Sequence, residues 1–289
     1  IPCTNTAEEH PVGKTCDELA GPCILKGKAR DWSVVKTWNP FFFKDRYGHI
    51  EVPVSMNLPE EGAPYFSTES QHRKKLSLAD FIDHLYRPEN IGGSYLDQCD
   101  IAQLEGLEAD FDLYKQLPST ARFTSLWIGD KTRSGLHYDN MDNMYIQVYG
   151  NKKVYLIAPQ DNDKVYPFGD CISKSKVDPE NPDLSKFPKF SQATVYYAHL
   201  EAGDILHFPK GWWHHFVSTS QSISISCWYG NSLPIADQIS GVNAAGYFLW
   251  LSIIRDFFWH GLLDRPYTQR LFSSPPTGKI LFDLLFRKI

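Results

Sequence analysis

Six short segments between residues 121 and 229 constrain the fold of this chain more than any other feature. Each is rich in β-branched or aromatic residues and is bounded by glycine, proline or asparagine, as strands usually are. The segments are RFTSLWIG, MYIQVYG, KKVYLIAP, ATVYYAHL, GDILHFP and SISISCWYG. Many short strands with no helical pattern between them are typical of a β-sandwich or barrel, which we therefore predict.

Three parts of this region carry further patterns. VYG and NKKVYLI meet at Gly150 and Asn151, which predicts a hairpin. SISISCW alternates strictly between serine and larger residues, which predicts a buried face. The polar, proline-rich stretch 169–192 interrupts the series, and a loop of that length is usually functional or disordered.

Helical patterns flank the strands on both sides. Within residues 76–86 the apolar positions recur at helical spacing, and Ser77 is the predicted cap. Those apolar positions are Leu78, Phe81, Ile82 and Leu85. Residues 236–260 and the tail 279–288 are apolar at helical spacing as well. The two terminal helices either cover the β-core or form a homodimer contact.

Composition narrows the classes of partner. The net charge of -5 argues against a broad phosphate-binding surface, so we expect no nucleic-acid partner. The most apolar stretch, 244–254, falls short of the ~20 residues of a membrane span, and the start lacks a secretory leader. Six cysteines without zinc spacing suit reduced thiols, which predicts a cytoplasmic protein, or a nuclear one in a eukaryote.

Histidine–carboxylate triplets supply the candidate metal ligands. Three H-x-[DE] triplets occur, at His49-Glu51, His137-Asp139 and His199-Glu201. With 10 histidines and 34 acidic residues in 289, about one triplet is expected by chance, so context must choose among them. Two histidines and one carboxylate on an open face of the metal form the iron(II) site of oxygenases. GDILHFPKGWWHHF offers His207, His214 and His215 as the third ligand.

A family resemblance covers the same segments. SGLHYDNMDNMYIQVYGNKKVYLIAPQD, GDILHFPKGWWHHFVS and SISISCWYG resemble the JmjC, or cupin-like, 2-oxoglutarate oxygenases, from about residue 22 to residue 230. Within that family, the chain resembles the small JmjC-only hydroxylases, such as the asparaginyl hydroxylase that inhibits hypoxia-inducible factor. The resemblance implies a mainly β fold with flanking helices. A mixed α/β part (1–120) would pack on a double-stranded β-helix, or jelly-roll, catalytic core (121–235), followed by C-terminal helices (236–289).

Carried over by position, the resemblance implies that iron(II) is held by His137, Asp139 and His214, the first histidine after the double tryptophan. His207 and His215 are then neighbours of the metal site rather than ligands.

The resemblance also implies contacts to 2-oxoglutarate. Lys152, fifteen residues beyond His137, would pair with its distal carboxylate. Ser134, three residues before His137, and Tyr95 in SYLDQ would contact the same carboxylate. Asn143, six residues beyond His137, matches a polar co-substrate contact.

Two positions on the last predicted strand complete the implied pocket. Ser226 stands where the asparaginyl hydroxylase has an asparagine, and Trp228 would form a wall. Plainer alternatives stay open for several of these residues: a solvated turn lysine at Lys152, a core tyrosine at Tyr95 and an ordinary inward strand residue at Ser226.

The function implied is hydroxylation of an amino-acid side chain in a protein or peptide, with iron(II), 2-oxoglutarate and O2, releasing succinate and CO2. Lysyl demethylation is the alternative within the same chemistry, and a catalytically inactive cupin-like binding protein is the alternative outside it. Beyond the metal ligands, no catalytic residue is predicted.

Overall fold

The strands of the chain pair into two sheets that together form a jelly roll with flanking helices, as predicted. The computed structural model describes residues 5–6, 21–58, 72–90, 92–107, 121–267 and 275–287. The strands are β1 Asn5–Thr6, β2 Cys23–Leu25, β3 Glu51–Leu58, β4 Arg73–Ser77, β5 Gly93–Asp100, β6 Ala121–Asp130, β7 Asp142–Tyr149, β8 Lys152–Ile157, β9 Val195–Leu200, β10 Ile205–Phe208, β11 Trp213–Ser218 and β12 Ser222–Tyr229. All six predicted strands are present, as β6 to β10 and β12, and β11 is an additional strand that was not predicted.

The order of the strands shows how the flanking region joins the core. The larger sheet runs β2-β10-β7-β12-β6-β5-β3-β4, and the smaller sheet runs β1-β9-β8-β11. The pairing of β1 with β9 is parallel, and the other pairings are antiparallel. Strands β2 to β5 therefore extend the larger sheet of the barrel. The division at residues 120 and 235 stays a prediction.

The helices lie before and after the barrel strands. They are α1 Ser33–Thr37, α2 Pro40–Tyr47, α3 Leu78–Leu85, α4 Ile235–Ala245, α5 Tyr247–Asp256 and α6 Thr277–Phe286, with a π-helical turn at Phe257–Leu262. The predicted cap of α3 is confirmed, because the Ser77 hydroxyl accepts a 3.0 Å hydrogen bond from the Asp80 amide. The apolar stripe of α3 is buried in a core that also contains Trp38 and Phe43.

Strand β12 is buried on both faces, not on one. Ile223 and Ile225 point into the core beneath the N-terminal helices. The alternate residues Ser224 and Ser226 point the other way, toward the interior of the barrel, where Ser224 contacts the buried Lys152 and Ser226 contacts the half-buried Trp127. The strict alternation of the sequence therefore separates an apolar packing face from a polar interior face.

The predicted hairpin at Gly150 and Asn151 was wrong. Strand β7 pairs with β10 and β12, whereas β8 pairs with β9 and β11, so this connection crosses from one sheet to the other. A jelly roll places these consecutive strands in opposite sheets, which local turn signals do not reveal. Gly150 has φ +68°, and a Cβ atom there would lie 1.9 Å from the Gln221 carbonyl oxygen.

The interrupting stretch 169–192 folds against the barrel. Its backbone forms an isolated bridge between Lys174 and His137, and the Asp178 carboxylate accepts two 2.8 Å hydrogen bonds from Arg133. Within the described residues the cysteines are thiols and form no disulfide. No described helix has the length and apolar character needed to cross a membrane. The cytoplasmic or nuclear location stays a prediction.

Candidate metal and co-substrate site

Backbone pairing brings the predicted metal ligands together. His137 and Asp139 lie in the connection between β6 and β7, and His214 lies on β11. The amides and carbonyls of His137 and His214 exchange hydrogen bonds of 3.1 and 2.7 Å. The two imidazole rings consequently lie 4.2 Å apart between centroids, although their positions in the sequence differ by 77 residues.

The three side chains converge as a set of metal ligands would. One donor atom from each of His137, Asp139 and His214 lies within 4.8 Å of the others, and His214 Nε2 is 3.7 Å from Asp139 Oδ2. His137 Nδ1 is 2.6 Å from the Gly135 carbonyl oxygen, and His214 Nδ1 is 3.0 Å from that of Trp212. A carbonyl only accepts, so both rings carry the proton on Nδ1 and present an unprotonated Nε2. Metal-binding histidines are oriented in this way.

Hydrogen bonds also fix the carboxylate. Asp139 Oδ2 accepts from Trp228 Nε1 at 2.8 Å and from Asn143 Nδ2 at 3.2 Å. The side-chain oxygen of Asn143, Oδ1, is buried and has no hydrogen-bond partner within the described residues. An acceptor left unpaired beside the carboxylate suits a donor on a bound ligand.

Electrostatics keeps these groups in their metal-binding protonation states. Burial, with a contribution from His214, lowers the pKa of His137 to about 3, and burial also lowers the pKa of His214. Burial opposes ionisation of Asp139, but the two imidazoles and the Trp228 and Asn143 hydrogen bonds hold its pKa below the ordinary value. Neutral imidazoles and an ionised carboxylate are the donor set that a hard or borderline divalent cation requires.

The other histidines occupy different positions. His215 points to the opposite side of β11 and packs against Tyr155, with ring centroids 5.8 Å apart. His207 Nδ1 forms a 2.8 Å hydrogen bond with the Tyr229 hydroxyl. The triplets at His49 and His199 are exposed. Within the described residues, His137, Asp139 and His214 are the one cluster with metal-binding geometry.

Lys152 is a buried cation at the base of the barrel. Its side chain is 1% exposed, and Nζ donates a 3.2 Å hydrogen bond to Ser224 Oγ. Nζ also lies 5.4 Å from the ring centroid of Tyr95 and 5.6 Å from that of Tyr145. No described carboxylate lies within ion-pair distance of Nζ. Burial therefore lowers the pKa of Lys152 to about 7.

A cleft of about 560 Å³ connects the candidate metal ligands with these tyrosines. Tyr95, Ser134, Asn143, Ser226 and Trp228 all line it, whereas Lys152 lies beneath the tyrosine rings. The structure thus places five of the six residues predicted for the co-substrate pocket on this cleft, and the sixth, Lys152, against the ring of Tyr95. Two members of this region, Tyr145 and Ser224, were missed; their signal was the alternation that places them on the faces of Asn143 and Ser226.

Individual side chains in the cleft already have specific bonds. Ser134 Oγ accepts a 2.8 Å hydrogen bond from the Phe216 amide, which leaves its hydroxyl proton available to a ligand. Ser226 Oγ accepts a 3.0 Å hydrogen bond from Trp127 Nε1. In this structure Ser226 orients a tryptophan of the cleft wall. Trp228, expected only as a wall, also holds the Asp139 carboxylate.

Several known proteins are similar to this chain in sequence. A family model described as a cupin-like domain matches residues 17–233. Lysine-specific demethylase 8 from Xenopus tropicalis is 30% identical over 217 residues, which cover 72% of this chain and 48% of that protein. Jumonji C domain-containing protein 5 from Drosophila melanogaster is 25% identical over 228 residues, covering 74% and 56%. The chain spans about half the length of these relatives.

A shorter segment of the chain has a higher sequence identity to a protein whose name refers to tRNA. tRNA wybutosine-synthesizing protein 5 from Homo sapiens is 43% identical over 94 residues, which cover 32% of this chain and 29% of that protein. The likeness to an asparaginyl hydroxylase stays a prediction.

Proposed function

Because a cupin-like domain model matches residues 17–233, the chain belongs to the cupin-like, JmjC-type family, and we propose that it is an iron(II)- and 2-oxoglutarate-dependent oxygenase. The observation that carries the proposal is Lys152. A buried ammonium without a described counter-ion, at the base of a cleft that contains two imidazoles and a carboxylate, suits an anionic ligand that also binds the metal.

Each residue has a definite task in this proposal. His137, Asp139 and His214 hold iron(II), and Trp228 and Asn143 orient the Asp139 carboxylate. When bound, iron(II) with 2-oxoglutarate and O2 supplies the oxidising chemistry and yields succinate and CO2.

The protein's contribution to the co-substrate is binding and orientation. Lys152 pairs with the distal carboxylate of 2-oxoglutarate, and the Ser134 and Tyr95 hydroxyls donate to it. The rings of Trp127 and Trp228 exclude water from the cleft. No described side chain is required as a general base.

We propose hydroxylation of a side chain in a protein or peptide as the reaction. Two relatives carry demethylase or Jumonji names, and the cleft is wide enough for a side chain beside a small co-substrate. Lysyl demethylation is the second candidate, favoured by the name of the Xenopus tropicalis relative. It is distinguished by release of formaldehyde, which hydroxylation of a stable carbon does not produce.

The test separates co-substrate binding from turnover. Purified protein is titrated with Mn(II) and N-oxalylglycine, an unreactive 2-oxoglutarate analogue, and succinate is then measured with iron(II), ascorbate and peptides. We expect saturable analogue binding that is lost in His214→Ala and kept in His199→Ala, whose side chain is exposed on β9. Absence of metal-dependent analogue binding in the unaltered protein would favour an inactive cupin-like binding protein.

We further propose a homodimer through the C-terminal helices. Phe248 on α5 and Leu285 and Phe286 on α6 are 83%, 69% and 68% exposed, which is unusual for large apolar side chains. The expected result is a dimer by light scattering for the unaltered chain and a monomer for Leu285→Glu. A monomeric unaltered chain at micromolar concentration would contradict the proposal.

A further inference from the structure

Asp97 is a buried carboxylate in the cleft that the proposed chemistry does not use. It lies two residues after Tyr95 on β5, so both side chains point into the cleft. The residue is 6% exposed, and its Oδ1 has no hydrogen-bond partner within the described residues. A buried acceptor without a partner is costly, which indicates a role for a bound group.

An irregularity of strand β5 lies beside this side chain. The pairing of β5 with β6 shifts register between Leu96 and Cys99, and Gln98 has φ +50°, in the left-handed region. Bulges of this kind re-aim side chains and are common next to active sites. Because non-glycine residues seldom adopt this conformation, the strand accepts local strain where Asp97 enters the cleft.

The charge of Asp97 is only partly compensated. Burial raises its pKa to about 6, and the largest opposing influence is Arg73 on β4, which also lines the cleft. No ion pair joins Asp97 to a described cation within 4 Å. At neutral pH the carboxylate is therefore ionised and lacks the close partner that buried charges normally have.

Aromatic rings in the same cleft as Asp97 also favour a positive charge. Tyr95 contacts Trp127 at 5.5 Å between ring centroids, Trp127 contacts Trp228 at 6.3 Å, and Trp228 stacks on Phe123 at 4.5 Å. The faces of such rings attract cations. A cleft that contains both a carboxylate and aromatic rings attracts an ammonium or guanidinium group there.

We infer that Asp97 determines substrate specificity by pairing with a cationic side chain, an ammonium or a guanidinium, of a peptide substrate. The inference rests on the proposed function, since it places the substrate in the cleft beside the candidate metal ligands. Lysine and arginine share this chemistry. An RNA substrate is disfavoured because its backbone is anionic.

The experiment measures charge preference directly. The full chain, loaded with Mn(II) and N-oxalylglycine, is presented with pools of nonapeptides that have randomised neutral flanks and one fixed central residue. The central residues are lysine, norleucine, arginine and citrulline. We expect the cationic pools to bind about tenfold or more tightly than their neutral counterparts, which is the usual range for a hydrogen bond to a charged group.

Two variants test the assignment to Asp97. Asp97→Asn keeps the shape and removes the charge, so we expect the preference to disappear while the unfolding temperature stays equal or rises. Asp31→Asn removes an exposed carboxylate near α1 and is expected to keep the preference. A loss that affected all pools equally would indicate a structural role and overturn the inference.

Other outcomes also decide the matter. Equal binding of all pools by the unaltered protein, including no binding, would overturn the inference. So would a retained preference in Asp97→Asn, or tighter binding of a single-stranded RNA oligonucleotide than of the cationic pools. Because N-oxalylglycine binding is measured separately beforehand, failure of the proposed function is recognised independently of the charge preference.

Discussion

Lys152→Met is expected to stabilise the ligand-free protein and to abolish co-substrate binding. Burial lowers the pKa of Lys152 from 10.5 to about 7. At ~1.4 kcal/mol per pH unit, folding with this side chain charged is about 5 kcal/mol less favourable than with it neutral. Methionine fills a similar volume without the charge but loses the bond to Ser224 and the contacts with Tyr95 and Tyr145, worth about 1 kcal/mol each. We expect a net gain of about 2 to 4 kcal/mol at pH 6.

The sign of the pH dependence provides a sharper test. The penalty is complete below pH 7, where folded and unfolded states are both charged. It decreases above pH 7, since the folded state has lost the proton while the unfolded state keeps it up to pH 10.5. The advantage of the Lys152→Met variant should therefore be about 3 kcal/mol smaller at pH 9 than at pH 6. Urea unfolding at both pH values measures this difference and cancels packing effects.

Lys153→Met is the matched control. Lys153 is the next residue on β8, its side chain is 36% exposed, and it pairs with Glu180. Its effect on unfolding should stay within about 1 kcal/mol at both pH values. Equal destabilisation by Lys152→Met at pH 6 and pH 9 would refute the uncompensated buried charge. Unchanged N-oxalylglycine affinity in that variant would refute its role in binding the co-substrate.

Three further predictions address the site and the fold. Affinity for N-oxalylglycine should decrease about tenfold per pH unit above pH 7, because Lys152 must then take up a proton to pair with the ligand. Isothermal titration with Mn(II) between pH 6.5 and 8.5 measures this affinity, and an affinity that does not change with pH would contradict the prediction. Trp228→Phe should weaken Mn(II) binding by about 10- to 100-fold, because the hydrogen bond to Asp139 is lost, whereas Trp127→Phe should leave Mn(II) binding unchanged. Equal losses of Mn(II) affinity in the two variants would argue against a role of the Trp228–Asp139 hydrogen bond. Gly150→Ala should lower the free energy of unfolding in urea by about 3 kcal/mol or more, well above the loss in Gly246→Ala. Both glycines have positive φ, but only at Gly150 would the added Cβ atom clash with backbone, so similar losses in the two variants would contradict this explanation.

The strands could be predicted from short-range patterns, whereas the choice of His137, Asp139 and His214 among several candidate ligands came from the family resemblance. Alternation and turn residues define the strands locally, and His137-Asp139 is a local triplet. The hairpin at Gly150 was wrong for the opposite reason. A turn signal says that the chain reverses direction, but the partner of each strand is chosen by the whole barrel.

Contacts that depend on the register between paired strands could not be predicted from the sequence. Trp228 lies opposite Asn143 in the pairing of β12 with β7, and this register brings its Nε1 to the Asp139 carboxylate. Nothing in SISISCWYG distinguishes that bond from ordinary packing. The register shift beside Asp97, near Gln98, is likewise a tertiary property of β5 and β6.

The burial of Lys152 and Asp97 indicates that these two charges have a functional rather than a structural origin. Each is at least nine-tenths buried, and no described counter-ion lies within ion-pair distance of either. Charges buried for architecture are paired, because removing water from an isolated charge costs several kcal/mol. Here a cation and an anion occur in the same barrel without neutralising each other. Such costs persist where the missing counter-charges arrive with ligands, an anionic one for Lys152 and a cationic one for Asp97.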